Sequence, residues 1–270
     1  VMIPLLVRAA LPKLNPGSEL PDVSRVRHDV PIDARHVASY ASLCGFPRKD
    51  TLPLPYPHLL AFGLHLEIMA DGSFPFPAIG TVHLENAITQ HRPIGLDEQL
   101  QVTARPANLR PHAKGQVFDM VTTVHSRAEL VWEETSTFLR RGHGDGPGTG
   151  TSFPDVTSRG TDWKLPADLG RKYAGVSGDR NPIHLYPLTA KAFGFPRQIA
   201  HGMWSMARCV GALENRLPDA VTVEVAFKKP VLLPGTVTFS TSRVDDGWAF
   251  ALTNPRSGAP HLAGATSTPR

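Results

Sequence analysis

Between Tyr173 and His184 the chain reads Tyr-Ala-Gly-Val-Ser-Gly-Asp-Arg-Asn-Pro-Ile-His, placing a carboxylate (Asp179), an amide (Asn181) and an imidazole (His184) within six residues. Gly178 and Pro182 break regular structure there, so the polar groups must ride on a turn. A carboxylate and an imidazole on one turn can hold a water molecule between two proton-transfer groups. At its ordinary pKa of about 6.5 the imidazole is mostly neutral near pH 7, which makes His184 the natural general base. Asp179 can bind the same water and relay or supply a proton. Which group performs which step stays open, because reversing the reaction exchanges the roles. Asn181 does not titrate, but it can fix the turn or hold a ligand. Gly-Asp or Asn-Pro alone would be an ordinary surface turn. Two further features set this one apart: the imidazole that closes it, and the segment Ile199-Ala-His-Gly-Met203, which opens a long apolar stretch.

These groups need elements to position them. A helix is expected near 167–176, ahead of the turn. From His201 to Asn215 the chain is apolar nearly all round (Met203, Trp204, Met206, Cys209, Val210, Leu213), which predicts a buried helix. Gly202 then falls at that helix's first residues. Their N–H groups have no internal acceptor and carry the positive end of the helix dipole. A glycine there lets a carbonyl oxygen that gains negative charge come close. His201 is expected to be structural. Strands are expected at 221–227, 236–243, 248–253 and 262–268.

The first half repeats this order. Tyr40-Ala-Ser-Leu-Cys-Gly45 matches Tyr173-Ala-Gly-Val-Ser-Gly178, Tyr56-Pro-His-Leu-Leu60 is comparable with Ile199–Met203, and Gln90-His-Arg-Pro-Ile94 with Phe227-Lys-Lys-Pro-Val231. The shared order of three blocks indicates a duplicated unit. Asp33 should cap a helix ending near Leu43, and a buried helix should span 58–71. Strands are expected at 82–88, 99–104, 117–125 and 130–140. Residues 142–151, Gly-His-Gly-Asp-Gly-Pro-Gly-Thr-Gly-Thr, cannot hold a helix or pack a strand and read as a flexible connection. The expected organisation is therefore a unit at 1–141, a linker at 142–151 and a second unit at 152–270. Each unit is α+β, an antiparallel sheet wrapped around one buried helix. The two sheets should join edge to edge.

Composition narrows the function. With 270 residues and 41% hydrophobic, the chain can bury a sizeable core. No apolar run reaches the roughly 18 residues of a membrane span. Val1 to Leu11 is read as a docking or frayed terminus, not a signal peptide. Two lone cysteines, Cys44 and Cys209, point to a reducing cytoplasm. The net charge of +4 suits a polyanionic partner but also an ordinary surface. Without a basic stripe interleaved with aromatics, nucleic-acid binding is not expected. Neither zinc-type spacing nor a glycine-rich nucleotide loop occurs, so no metal and no cofactor are expected.

The pattern Tyr173, Ser177-Gly178-Asp179, Asn181-Pro182-Ile183-His184 and Ala190, followed by His201-Gly202, resembles the motif of the MaoC-like (R)-specific enoyl-thioester hydratases. The resemblance covers residues 173–203 at the motif level and nearly the whole chain at the fold level. It implies a double hot dog: two tandem units, each with a sheet wrapped around a long helix. It also implies a hydro-lyase interconverting trans-2-enoyl and (R)-3-hydroxyacyl thioesters of coenzyme A or acyl carrier protein. Asp179 and His184 would be catalytic, with Asn181, Gly202 and Ser177 as substrate-binding or oxyanion residues. Phe74–Asn86 and Trp132–Arg140 look closest to the mycobacterial two-hot-dog 3-hydroxyacyl-thioester dehydratases.

After Gly45 the first half has no Asp in register and no Asn-Pro-X-His. Asp50 and His58 are not expected to form a second site, and His58→Ala is expected to have little effect. By the resemblance, this half widens the tunnel for acyl chains much longer than crotonyl. Lys228 and Lys229 could meet coenzyme A phosphates. The rival readings are a hot-dog thioesterase using Glu67 or Glu214, and a non-catalytic acyl-thioester-binding subunit. Monomer and homodimer are both compatible with two fused units.

Overall fold

The computed structural model describes residues 9, 19–148 and 150–269. The expectation for the apolar start therefore lies outside the described residues, Ala9 excepted, which is buried and accepts a hydrogen bond from the Ala78 N–H at 2.7 Å. Cys44 and Cys209 are free and buried. None of the described helices is long and apolar enough to cross a membrane.

The first half contains β1 (Arg25–Val30), α1 (Ala34–Cys44), α2 (Pro57–Ala70), β2 (Thr81–Gln90), β3 (Leu100–His112), β4 (Gly115–Ser126) and β5 (Glu129–Arg141). The second contains β6 (Thr161–Leu165), α3 (Leu169–Ser177), a tight helical turn at Pro182–His184, α4 (Pro187–Ala192), α5 (Gly202–Leu213), β7 (Val221–Phe227), β8 (Gly235–Val244), β9 (Gly247–Thr253) and β10 (Pro260–Ser267). As expected, the Asp33 carboxylate caps α1, accepting from the Arg35 and His36 N–H groups. Gly45 and Gly178 close α1 and α3 with φ of 77° and 76°, a left-handed conformation that glycine adopts without strain. The matched Tyr…Gly blocks thus end in the same backbone geometry.

The strands among the described residues form one ten-stranded antiparallel sheet in the order β1-β3-β4-β5-β2-β7-β10-β9-β8-β6. The halves join where β2 pairs with β7, from Glu85↔Ala226 to Gln90↔Val221. This is the double hot dog: α2 and α5 supply buried apolar side chains to a core faced by the sheet. Burial of α2 all round explains its uniform hydrophobicity, and its Leu64, Ile68 and Ala61 are 1% exposed or less. The halves also meet through helices. His36 on α1 accepts from the Tyr56 hydroxyl at 2.7 Å and donates to the Val176 carbonyl at 2.8 Å.

Three strands depart from the sequence reading. β1 and β6, the two outermost strands, were not expected; each packs on one neighbour and carries a largely polar sequence. β3 runs on past Pro106, although its expected end was Ala104. Pairing with β1 stops at Ala104, and beyond it β3 is bonded only to β4. There, on a free edge, a proline costs no sheet hydrogen bond.

Candidate active site

The motif turn is held from several sides. Ser177 ends α3, and its hydroxyl accepts from the Asp179 N–H at 3.1 Å. Asp179 Oδ1 in turn accepts from the Asn181 N–H at 3.0 Å, and Asn181 Oδ1 accepts from the Ile183 N–H at 3.4 Å. These short-range bonds are what Ser, Asp and Asn make in turns. Ile199 clamps the turn: its N–H donates to the Ile183 carbonyl at 3.1 Å, and its carbonyl accepts from His184 Nδ1 at 2.8 Å. Ile199 is itself strapped to the second half by a bridge to Leu232. Thr189 on α4 donates its hydroxyl to the Pro182 carbonyl at 2.6 Å.

Gly170 on α3 abuts the same turn so closely that a Cβ there would fall on the His184 carbonyl oxygen. Gly170→Ala is therefore expected to destabilise the fold by roughly 1–3 kcal/mol and to displace His184. Urea denaturation together with the hydration rate checks this. Wild-type values for both would show that the helix does not set the turn's position.

The carbonyl partner of His184 has a chemical consequence. A carbonyl can only accept, so Nδ1 carries the proton and Nε2 keeps its lone pair. His184 is 8% exposed. Burial lowers its pKa; the Asp179 carboxylate and the Ile199 carbonyl oppose this, but the net shift is downward. The ring is thus a neutral base. Burial pushes Asp179 the other way, but the imidazoles of His201 and His184 and the Asn181 N–H hold its pKa below the ordinary carboxylate value. His201 donates from Nε2 to the Asp179 carbonyl at 3.0 Å and stacks on His184 with ring centroids 3.7 Å apart. Burial and His184 push its pKa down to about 3, so it stays neutral and braces the turn. Asp179, His184 and His201 each offer one metal-ligand atom within 4.8 Å of the others. One nitrogen of each imidazole is already committed to a carbonyl.

Gly202 is the first residue of α5, as expected, so its N–H has no intrahelical acceptor. A Cβ on it would crowd the Phe227 ring at 3.2 Å. Asp179, Asn181, His184, Gly202 and Ser177 all line one cavity of about 1360 Å³. The structure therefore gathers every residue singled out as catalytic or substrate-binding. Glu67 and Glu214 are not among its lining; they pair with Arg27 and Lys49 at 3.0 and 2.7 Å.

The cavity also takes residues from the first half that sequence reasoning left without a role. His58, Phe62, His65 and Met69 come from α2, and His83 from β2. One signal was available: His58 occupies the place in its block that His201 occupies in the second. The exposed part of the lining is basic, with Arg110, Lys114, Arg141, Arg180, Lys228 and Lys229. The connecting segment packs on this side, and a Cβ at Gly144 would strike the His112 carbonyl oxygen.

Comparison with other proteins gives the family and the fold. The family described as MaoC like domain matches residues 151–257. The 3-hydroxyacyl-thioester dehydratase X of Mycobacterium tuberculosis is 38% identical over 264 residues, 95% of this chain and 94% of its own length. The crystal structure of HtdX of Mycobacterium tuberculosis superposes with a TM-score of 0.82 at 37% identity, over 92% of this chain and 100% of that one. A MaoC-like dehydratase from Phytophthora capsici shares the fold at 19% identity, with a TM-score of 0.75 over 93% of this chain and 96% of its own. The chain belongs to the MaoC-like family of 3-hydroxyacyl-thioester dehydratases and (R)-specific enoyl-CoA hydratases.

Proposed function

We propose that this protein reversibly adds water to trans-2-enoyl thioesters, giving (R)-3-hydroxyacyl thioesters, with Asp179 and His184 as the catalytic pair. The observation that carries this is the tautomer set at His184. With Nδ1–H spent on the Ile199 carbonyl, Nε2 can only accept, and the neighbouring ionised Asp179 also accepts. A water between them donates both its hydrogens and is held as a nucleophile. Its oxygen bonds to the β-carbon while the π electrons move toward the thioester oxygen. The proton it loses passes to one of the pair and then to the α-carbon. The Gly202 N–H, at the positive end of α5, receives the charge on the enolate oxygen. Ser177 and Asn181 keep the loop in the shape this requires. In the reverse direction the same groups remove water.

In this reading the unit at 1–141 contributes walls and no proton transfer, 142–151 connects, and 152–270 carries the reaction. The basic rim suits the anionic carriers of acyl thioesters, coenzyme A or acyl carrier protein. The cavity's extension along α2 accommodates acyl chains longer than crotonyl. Two buried free thiols support a reducing compartment such as the cytoplasm. A thioesterase reading loses its carboxylates, since neither Glu67 nor Glu214 lines the cavity.

The test follows the ultraviolet absorbance of a conjugated enoyl-CoA on adding the protein, with chiral analysis of the product. Loss of absorbance with an (R)-3-hydroxyacyl product is expected; release of free thiol or an (S) product would overturn the proposal. The pH profile supplies a second reading. A base with a lowered pKa stays neutral to lower pH, so hydration kcat/KM should hold as pH falls through the ordinary histidine value of 6.5 and decline only below it. An acid limb above 6.5 would count against His184 as the base.

A further inference from the structure

The cavity's wall in the first half carries a buried ion pair that the reaction does not use. His58, in the first turn of α2, is 6% exposed, and Glu134 on β5 is 1% exposed. His58 Nδ1 donates to the Glu134 carboxylate at 2.8 and 2.9 Å. Asn86 Nδ2 donates to the same carboxylate at 2.6 Å and to the Ser136 hydroxyl at 2.9 Å. Glu134 does not line the cavity, but His58 does. Its second ring nitrogen, Nε2, has no hydrogen-bond partner among the described residues, and it is not one of the sealed, solvent-inaccessible polar atoms.

We propose that the His58–Glu134 pair builds a polar subsite for an oxygen atom carried on the substrate's acyl chain, beyond the carbons that react. This rests on the hydratase reading for the identity of the substrate, but not for the existence of the subsite. Three observations carry it. Burial lowers the ring's pKa, but the Glu134 carboxylate 2.8 Å from Nδ1 outweighs it and raises the net value, which favours the imidazolium and an Nε2–H on a ring that lines the cavity. The ring lines the same cavity as Asp179, so a chain with its double bond at Asp179 can extend toward His58. His65 and His83 line the same wall, but their unpartnered ring nitrogens are sealed from solvent, which leaves the His58 Nε2 as the accessible one of the three.

A plain alkyl chain would cover the Nε2–H and leave it unpaired, at a penalty that a keto, hydroxyl or ring oxygen avoids. Packing alone does not call for the pair, because apolar residues of similar volume usually serve a core as well. The substrate class is thus an enoyl thioester with an oxygenated acyl group.

Calorimetric binding of saturated acyl-CoA analogues, which cannot be hydrated, tests this. One series carries a keto oxygen at successive carbons beyond the β-position; the reference is the unsubstituted chain of the same length. At least one keto analogue is expected to bind about tenfold tighter than the reference. In the double variant His58→Leu/Glu134→Leu the ratio should fall to near unity. If that protein does not fold, His58→Gln keeps a donor on Glu134 while removing the Nε2–H, and the same loss is expected. No preference in the wild type, or a preference that survives these changes, overturns the subsite. Hydration of crotonyl-CoA, measured in parallel, reads the hydratase proposal alone. Its absence beside a clear keto preference would sink the hydratase reading and leave the subsite standing.

Discussion

Asp179→Asn and His184→Ala should each lower kcat/KM for enoyl-CoA hydration by about a hundred- to ten-thousand-fold, the usual contribution of a positioned acid or base. Asn at position 179 can still accept from the Asn181 N–H, so the turn keeps its shape while the charge that holds the water is lost. His184→Ala removes the Nε2 acceptor together with the bond to Ile199. Because the pair grips one water, the double variant should be little worse than the poorer single one. Initial rates on purified, folded variants decide this, with near-ultraviolet circular dichroism as the check on folding. Full activity in either single variant would remove that residue from the catalytic pair. Simple additivity would mean that the two groups act independently.

The second large effect falls on stability. His58→Leu leaves the Glu134 carboxylate buried, with Asn86 as its remaining side-chain donor. Removing one partner of a buried pair costs about 3–5 kcal/mol, a large share of the roughly 5–15 kcal/mol that holds a folded domain. His58→Leu/Glu134→Leu should recover most of that loss. Urea midpoints for the three proteins test this. A single variant as stable as the wild type would show that the pair is not coupled.

The pH dependence follows from the two shifts. Burial pushes Glu134 up, but His58 outweighs it and holds its pKa at about 2, below the ordinary 4.5. Its contribution to stability is therefore complete above 4.5 and drains away as pH falls toward 2. Burial pushes His58 down, but Glu134 outweighs it and raises the pKa above the ordinary 6.5. That contribution is complete below 6.5 and is lost as pH rises through the raised value. The wild type should thus exceed the double variant in relative stability between pH 4.5 and 6.5 and lose that margin on either side.

Local patterns carried much of this protein. The acid, amide and imidazole of the motif are close in sequence, so a single turn had to present them together. The uniformly apolar runs that became α2 and α5 could only be buried, and the alternating residues 121–126 of β4 suited a half-covered strand. Gly202 was legible because a helix start follows from where an apolar run begins. The edge strands β1 and β6 were not legible. A strand with one neighbour and an exposed face needs no strong alternation, and theirs is weak. The full length of β3 was hidden for a related reason: a proline such as Pro106 ends a central strand but not a free edge, and only the pairing shows which edge is free.

The roles of His58 and Glu134 lay further out of reach. They are 76 residues apart, and neither belongs to a local motif: His58 stands in an apolar run and Glu134 in the polar stretch Glu133–Thr137. What brings His58 to the wall of the cavity that holds Asp179 is the pairing of β2 with β7, which fuses two sheets across the middle of the chain. Spacing encodes groups that share a turn or a helix face. Groups that meet across a sheet are set by which strand edges bond, and that is resolved only when the whole core packs.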